Sequence, residues 1–266
     1  MSTPLPLILL PPSEGKSEGG TGEPWAPGTM RHDLDEQRAR TMRALTQAMK
    51  WSGTRRADLL GVKGASLDAA SAANREVAEA PTLPAIERYT GVLYDELDAG
   101  SWSARQRRRA SDSIIIFSGL FGLVAPDDPI PNYKIKMGAS LPRLGRLGTW
   151  WRPSITAALE PLVEGRRVWN LLPNEHDAAW TAPADAELAT VKFFDERPDG
   201  SLTTVSHWNK LLKGALVRLL LDRPQVAPAD LDGWDHPLGY RLEGIDTDRR
   251  GVQVCSLVRR NDTDRT

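Results

Sequence analysis

The chain has 266 residues, with 34 lysines and arginines against 35 aspartates and glutamates, and a pI near 6.5. This balance excludes a surface coated in positive charge for nucleic acid, although a screening length of about 8 Å leaves room for a local basic patch. Hydrophobic residues at 40% and charged residues at 26% describe a soluble globular chain without a membrane span, and a single cysteine, Cys255, excludes an internal disulfide and a multi-cysteine metal site.

The first element expected is a strand over Leu5 to Leu10. It runs into P-P-S-E-G-K-S, which ends like a phosphate-binding loop at Gly15-Lys16-Ser17. That loop needs a glycine where Leu10 stands, and Pro11 and Pro12 have no N–H to offer a phosphate. The Gly/Pro-rich residues 15 to 29 also break any following helix, so the P-loop reading fails. What remains is a constrained turn presenting Ser13, Glu14 and Lys16.

Helices are expected over 33 to 50, 56 to 60, 65 to 79, 84 to 98 and 103 to 110. The apolar β-branched run 113 to 117 reads as a buried strand, and P-N-Y-K-I-K-M, from Pro131, alternates like a strand. A helix at 149 to 159, strands at 168 to 172, 188 to 195 and 203 to 206, and a helix at 209 to 221 follow. Strands and helices mix without a steady βαβ rhythm, which gives an α+β, mixed α/β class. One domain over 1–258 and a charged, frayed tail at 259–266 are expected.

Four stretches bear on chemistry. Residues 57 to 74 look like two helices joined by Gly61-Val62-Lys63-Gly64, similar to a helix-hairpin-helix, in which backbone amides approach a DNA phosphate. Arg55, Arg56 and Lys63 would add charge there, while a plain αα-hairpin is the competing reading. The basic run 104 to 110 reads as a solvated helix face. The stretch 117 to 138 has more glycine and proline than packing needs, before Tyr133 and Lys134. In 205 to 214, Ser206 or Asn209 is placed to cap a helix bearing Lys210 and Lys213, with His207 beside it. The four histidines, His32, His176, His207 and His236, form no H-x-x-x-H pair, so no metal or cofactor is expected. The N-terminus has no basic segment before its apolar stretch, which argues against a secretory signal. A cytoplasmic monomer is expected.

Taken in order, L-I-L-L-P-P-S-E-G-K, N-R-E-V-A-E-A-P-T-L-P-A-I-E-R-Y-T-G-V-L-Y, F-S-G-L-F-G-L-V-A-P-D-D-P-I-P-N-Y-K-I-K-M-G, W-N-L-L-P-N-E-H and V-S-H-W-N-K-L-L-K-G resemble the YaaA family of peroxide stress proteins. The resemblance spans Leu7 to about Leu221 and is nearest to its actinobacterial branch. It implies one compact mixed α/β domain with a central sheet, a basic cleft and a helix-hairpin-helix. It further implies DNA binding and a role in keeping free intracellular iron low; no reaction is implied. The family's recurrent polar residues fall on Ser13, Lys16, Asn74, Arg88, Tyr94, Tyr133, Lys134, Asn170, Glu175, Ser206 and Lys213. Lys134 stands where arginine is common, and His176 where tyrosine is.

The expected function is a peroxide stress protein that binds DNA without sequence preference through Arg55, Arg56, Gly61, Lys63 and Gly64 and a cleft. That cleft is expected to hold Ser13, Glu14, Lys16, Arg88, Tyr94, Tyr133, Lys134, Ser206 and Lys213. The alternative is an enzyme acting on a phosphorylated or nucleotide-like small molecule in the same cleft, with Lys16, Tyr133, Glu175 and Lys213 as candidate catalytic residues. Direct iron storage is disfavoured, because the histidines and carboxylates lack ligand spacing.

Overall fold

The apolar run Leu7–Leu10 forms β1 with all four residues buried, the pattern of a strand covered on both faces. The computed structural model describes residues 4–205, 208–234, 236 and 238–260. After β1 and a long loop come α1 (Asp35–Ala48), α2 (Gly53–Leu60) and α3 (Ala65–Arg75). Next, β2 (Leu83–Pro84), α4 (Ala85–Arg88), α5 (Val92–Leu97) and α6 (Ala104–Ser113) lead to the hairpin of β3 (Ile114–Ser118) and β4 (Gly122–Val124). The short strands β5 (Pro129–Ile130), β6 (Ser140–Leu141) and β7 (Gly145–Arg146) precede α7 (Leu147–Val163). The chain closes with β8 (Val168–Asn170), α8 (Asn174–Asp177), β9 (Leu188–Glu196), β10 (Leu202–Thr204), α9 (Asn209–Asp222), β11 (Arg241–Thr247) and β12 (Gln253–Arg259).

The main sheet runs β11-β12-β9-β8-β1-β3-β4, with β10 paired to β9 outside that path. β1 lies parallel to β3 on one edge and to β8 on the other. The chain therefore leaves β1 toward one side of the sheet first and reaches the other side later. Such a reversal opens a crevice beyond the carboxyl ends of the strands, where ligands of open α/β sheets bind. One contiguous hydrophobic core unites both sides, from Leu7 to Leu257, so the described chain is a single mixed α/β domain.

Several elements differ from the sequence expectations. Residues 84 to 98 form two short helices, because Tyr89 is extended (ψ 132°). The 131–137 segment keeps its alternation of buried and more exposed residues but joins no strand ladder. Periodicity reports an extended backbone, not a partner for it. The pair β11 and β12 is absent from the expectations. β11 is a mostly exposed edge strand with polar sequence, and β12 buries residues without strict alternation. β12 extends to Arg259, whose guanidinium pairs with Asp195 at 3.0 Å.

Two fully buried arginines hold the irregular backbone. Arg38 on α1 donates to the carbonyls of Phe121 (3.1 Å) and Leu123 (2.9 Å), fastening α1 to β4. Arg88, at the end of α4, donates to the carbonyls of Ile130 (3.2 Å), Gly19 (2.8 Å) and Pro81 (3.2 Å), and to that of Ser17. The rigid guanidinium fork thus gives partners to carbonyls that the loop after β1 would otherwise bury unpaired. Arg88→Ala is expected to lower stability by about 2–4 kcal/mol, since removing a charged donor strands buried acceptors. Arg88→Lys should not restore it, because an ammonium cannot span the same fork. A denaturant midpoint unchanged by Arg88→Ala would refute this role.

Candidate functional site

Pro11 and Pro12 follow β1 directly and supply no N–H to either neighbouring strand, so the ladder stops and the chain turns out over the crevice. Tyr94 Oη donates to the carbonyl of Pro11 at 2.8 Å. The loop is then laid against the end of α4: Ser17 N donates to Arg88 O (2.8 Å) and Thr90 N to Gly15 O (3.1 Å). Lys16 pairs with Tyr89 through the backbone, and this turns its side chain inward. Its Nζ donates to Ser13 O at 3.1 Å. It lies 4.2 Å from the ring centre of Tyr133 and 5.3 Å from that of Tyr89.

Beneath Lys16 runs a buried hydroxyl chain. Ser118 Oγ at the end of β3 is 2.7 Å from Tyr133 Oη, which is 2.7 Å from Tyr89 Oη. Ser118 Oγ already accepts from the amides of Leu120 and Phe121. Its own proton must therefore go to Tyr133, and one phenolic proton of the two tyrosines is left over. Burial pushes the Tyr133 phenol up to about 12 and the Tyr89 phenol well above its ordinary value. Both are proton donors at neutral pH.

The segment carrying Tyr133 and Lys134 is fixed by a side chain in place of a strand. Asn74, buried at the end of α3, accepts from Lys134 N and donates to Lys134 O, both at 2.8 Å. Gly119 permits the same segment to cross the end of β3, since a Cβ there would stand 2.9 Å from the carbonyl carbon of Lys136. The ammonium groups of Lys134 and Lys136 each meet Glu14 at 3.0 Å. Burial works against the Glu14 charge, but the two lysines outweigh it and hold the carboxyl below its usual range.

At the end of β8, Asn170 donates to Asp177 (2.7 Å) and so holds α8 in place. Glu175 of α8 accepts from Gly138 N at 2.6 Å. Neither ring nitrogen of His176 has a hydrogen-bond partner among the described residues, and burial lowers its pKa despite Glu175. Ser13, Glu14, Lys16, Tyr133, Lys134 and Glu175 thus converge on one cavity of about 240 Å³, together with Lys136, His176 and Lys210. Arg88 and Tyr94 stand behind it as supports. Lys213 donates to Leu171 O at 2.9 Å, one helical turn from Lys210, and burial brings its pKa down to about 8. Ser206 and His207 lie outside the described residues.

Lys16 is the unusual group. Burial is the main cause bringing its pKa to about 7; Lys134 adds to the fall, Glu14 opposes it and Arg88 contributes further. Near neutral pH the cavity therefore offers an amine that shares its time between the charged and uncharged forms, beside proton donors and ammonium groups, a combination suited to nucleophilic or acid–base work on an anion. Among the described residues no three His, Cys, Asp or Glu side chains stand together as a metal-binding group.

The hairpin abuts this cavity. Gly61 ends α2 in the left-handed conformation (φ 66°) and Gly64 begins α3 at φ 57°. Lys63 is exposed, and Arg55 stacks 4.1 Å from the Trp51 ring centre. Arg56 is half-buried. Lys136 Nζ lies 3.5 Å from the position a Gly61 Cβ would take, so hairpin and cavity rim are continuous. Sequence reading missed Tyr89, Ser118 and Lys136 as members of this assembly. The one available signal was the F-S-G stretch at the end of β3. A larger groove of about 690 Å³ runs along α1, lined by Arg40, Arg43, Lys50 and Arg143, and shares no lining residue with the cavity.

Comparison with known proteins agrees over most of the length. The family described as peroxide stress protein YaaA matches residues 7–244. A UPF0246 protein of Streptomyces coelicolor is 37% identical over 242 residues, 89% of this chain and 92% of its own. A UPF0246 protein of Corynebacterium glutamicum is 36% identical over 220 residues, 80% and 84% of the two chains. One from Flavobacterium johnsoniae is 29% identical over 163 residues, 60% and 64%.

Lys16 also makes stability depend on pH. Its pKa is about 7 in the fold against an ordinary 10.5, so unfolding takes up a proton between those values and this contribution to stability rises with pH across that window. Below it the lysine is charged in both states and the cost of burying the charge is fully present. Lys16→Met should therefore raise the denaturation midpoint more at about pH 6 than at about pH 10. Equal effects at both values would show that the amine is ordinarily solvated.

Proposed function

For a chain that belongs to the YaaA family of peroxide stress proteins, we propose a role in limiting damage from free intracellular iron, with DNA held through its backbone along the α2–α3 hairpin and the rim of the cleft. Family membership supports the peroxide stress role itself. The single cysteine does not supply a peroxide-reducing thiol. Cys255 is buried, and burial pushes its pKa up to about 11, whereas such chemistry needs a thiolate.

The observation that supports DNA contact is the hairpin. No hydrogen bond among the described residues uses the backbone N–H of Val62, Lys63 or Gly64. These amides adjoin the N-terminus of α3, where the first N–H groups of a helix lack helical partners. Arg55, Lys63 and Lys136 place charge around them. Contacts of this kind bind phosphate and carry no base information.

A second reading, catalysis on a phosphorylated small molecule, is favoured by the size and lining of the cavity. At about 240 Å³ it falls below the ~300 Å³ at which drug-sized ligand sites begin. Its cationic lining suits a small anion.

Because Glu14 already engages Lys134 and Lys136, few cations are free for DNA, and about two to four phosphates should be neutralised. The log–log salt slope on duplex DNA is then expected at roughly −2 to −4, with a Kd of about 10⁻⁴ to 10⁻⁶ M at physiological salt. Lys63→Glu should weaken every duplex alike and flatten the slope by about one unit or more, leaving the fold intact. If Lys63→Glu binds as the parent does while Lys16→Ala or Lys213→Ala loses binding, the hairpin is a structural turn and the enzyme reading replaces this one.

A further inference from the structure

An anion-holding lysine is normally exposed or ion-paired and keeps its charge. Lys16 is neither. Its one hydrogen-bond acceptor among the described residues is the carbonyl of Ser13. The carboxylate whose charge bears on it, Glu14, is taken by Lys134 and Lys136. The other groups facing it are the rings of Tyr89 and Tyr133 and the cations Lys134 and Arg88. In the same cavity Lys134 and Lys136 share the single carboxylate of Glu14, which leaves one positive charge in excess, and Lys210 adds a further ammonium group. Anion binding therefore does not need Lys16, and its surroundings suit a nucleophile.

We propose that Lys16 is a nucleophilic amine that condenses with the aldehyde carbon of a phosphorylated sugar held in this cavity, forming an imine and releasing water. The inference rests on reading the cavity as an anion site and assigns covalent chemistry to it. The lone pair of Nζ forms the C–N bond as the carbonyl π bond opens. Both amine protons pass to the carbonyl oxygen, which leaves as water, so no oxidant or reductant is consumed. Proton traffic has carriers on hand. The Ser118–Tyr133–Tyr89 chain has one hydroxyl proton to spare, and Tyr133 itself lines the cavity. With a pKa of about 7, Lys16 is a free amine in a large fraction of molecules at neutral pH.

An aldehyde on a phosphorylated sugar occurs in free sugar phosphates and at abasic sites of DNA. The two sources share their chemistry and differ in whether the hairpin beside the cavity takes part.

Reductive trapping tests the proposal. Full-length protein is incubated with cyanoborohydride and either ribose 5-phosphate or a duplex containing one abasic site, at about pH 6.5. There an ordinary lysine is unprotonated in roughly one molecule in 10⁴, and Lys16 in about a quarter. The expected product is a single adduct on Lys16, by intact mass and peptide mapping. With ribose 5-phosphate it adds the mass of the sugar phosphate less one oxygen. Lys16→Arg, which keeps a cation, should abolish it. An adduct only with the duplex identifies DNA as the source; one only with ribose 5-phosphate identifies a small molecule. No adduct in either arm, or labelling that maps to other lysines of the parent protein, overturns the proposal. Calorimetry with ribitol 5-phosphate, which lacks the aldehyde, separates the premise from the inference. Heat of binding without any trapped adduct overturns the imine and leaves the anion site standing.

Discussion

The placement of β1 is the constraint on which the rest depends. It is hydrogen-bonded on both edges to parallel strands and buried on both faces, so its only way out is at its ends. Two prolines stand where a third neighbouring amide would be needed, and the ladder cannot continue through them. The chain therefore rises over the point where strand order reverses, which is where an open α/β sheet has its crevice. The P-P-S-E-G-K stretch resembles a P-loop at its close and occupies a comparable place after a strand, yet its prolines give it different work. It delivers side chains to the crevice, with backbone amides playing little part.

Once the loop is committed to that path, its backbone must be satisfied away from any strand. Side chains supply this. Arg88 gathers four carbonyls, Tyr94 takes one from Pro11, and Asn74 pairs both backbone groups of Lys134. These polar residues recur in the family resemblance as readily as the cavity residues do, but their work is to hold the loops that line the cavity. Loss of any of them would act through geometry, by shifting Lys16 relative to the tyrosine faces.

The same frame explains how a chain with almost no net charge presents a cationic site. Glu14 is shared by two lysines, and Lys16 lies in surroundings that discourage its proton. The cavity thus mixes retained and suppressed positive charge within a small volume. The hairpin, continuous with it through Lys136 and Gly61, offers backbone amides and only a few further cations.

By itself, the sequence determined the buried strand over Ile114 to Phe117, with Ser113 falling instead at the end of the preceding helix, the amphipathic helix after Asp33, the αα-hairpin with its two glycines, and the failure of the P-loop. Each follows from local backbone rules: apolar periodicity, the conformational freedom of glycine, and the missing N–H of proline. The convergence of Ser13, Lys16, Tyr133, Lys134 and Glu175 was legible only as a set of polar residues in Gly/Pro-rich turns. Tertiary structure decided which of them share a cavity, that Arg88 is buried as a clasp, and that 131–137 is extended without a strand partner. It also decided the suppressed charge of Lys16, because that depends on Tyr89, Tyr133, Lys134 and Arg88 arriving from segments up to 118 positions away in the chain. A lysine's spacing in sequence says nothing of its solvation, and solvation sets whether its nitrogen holds a proton.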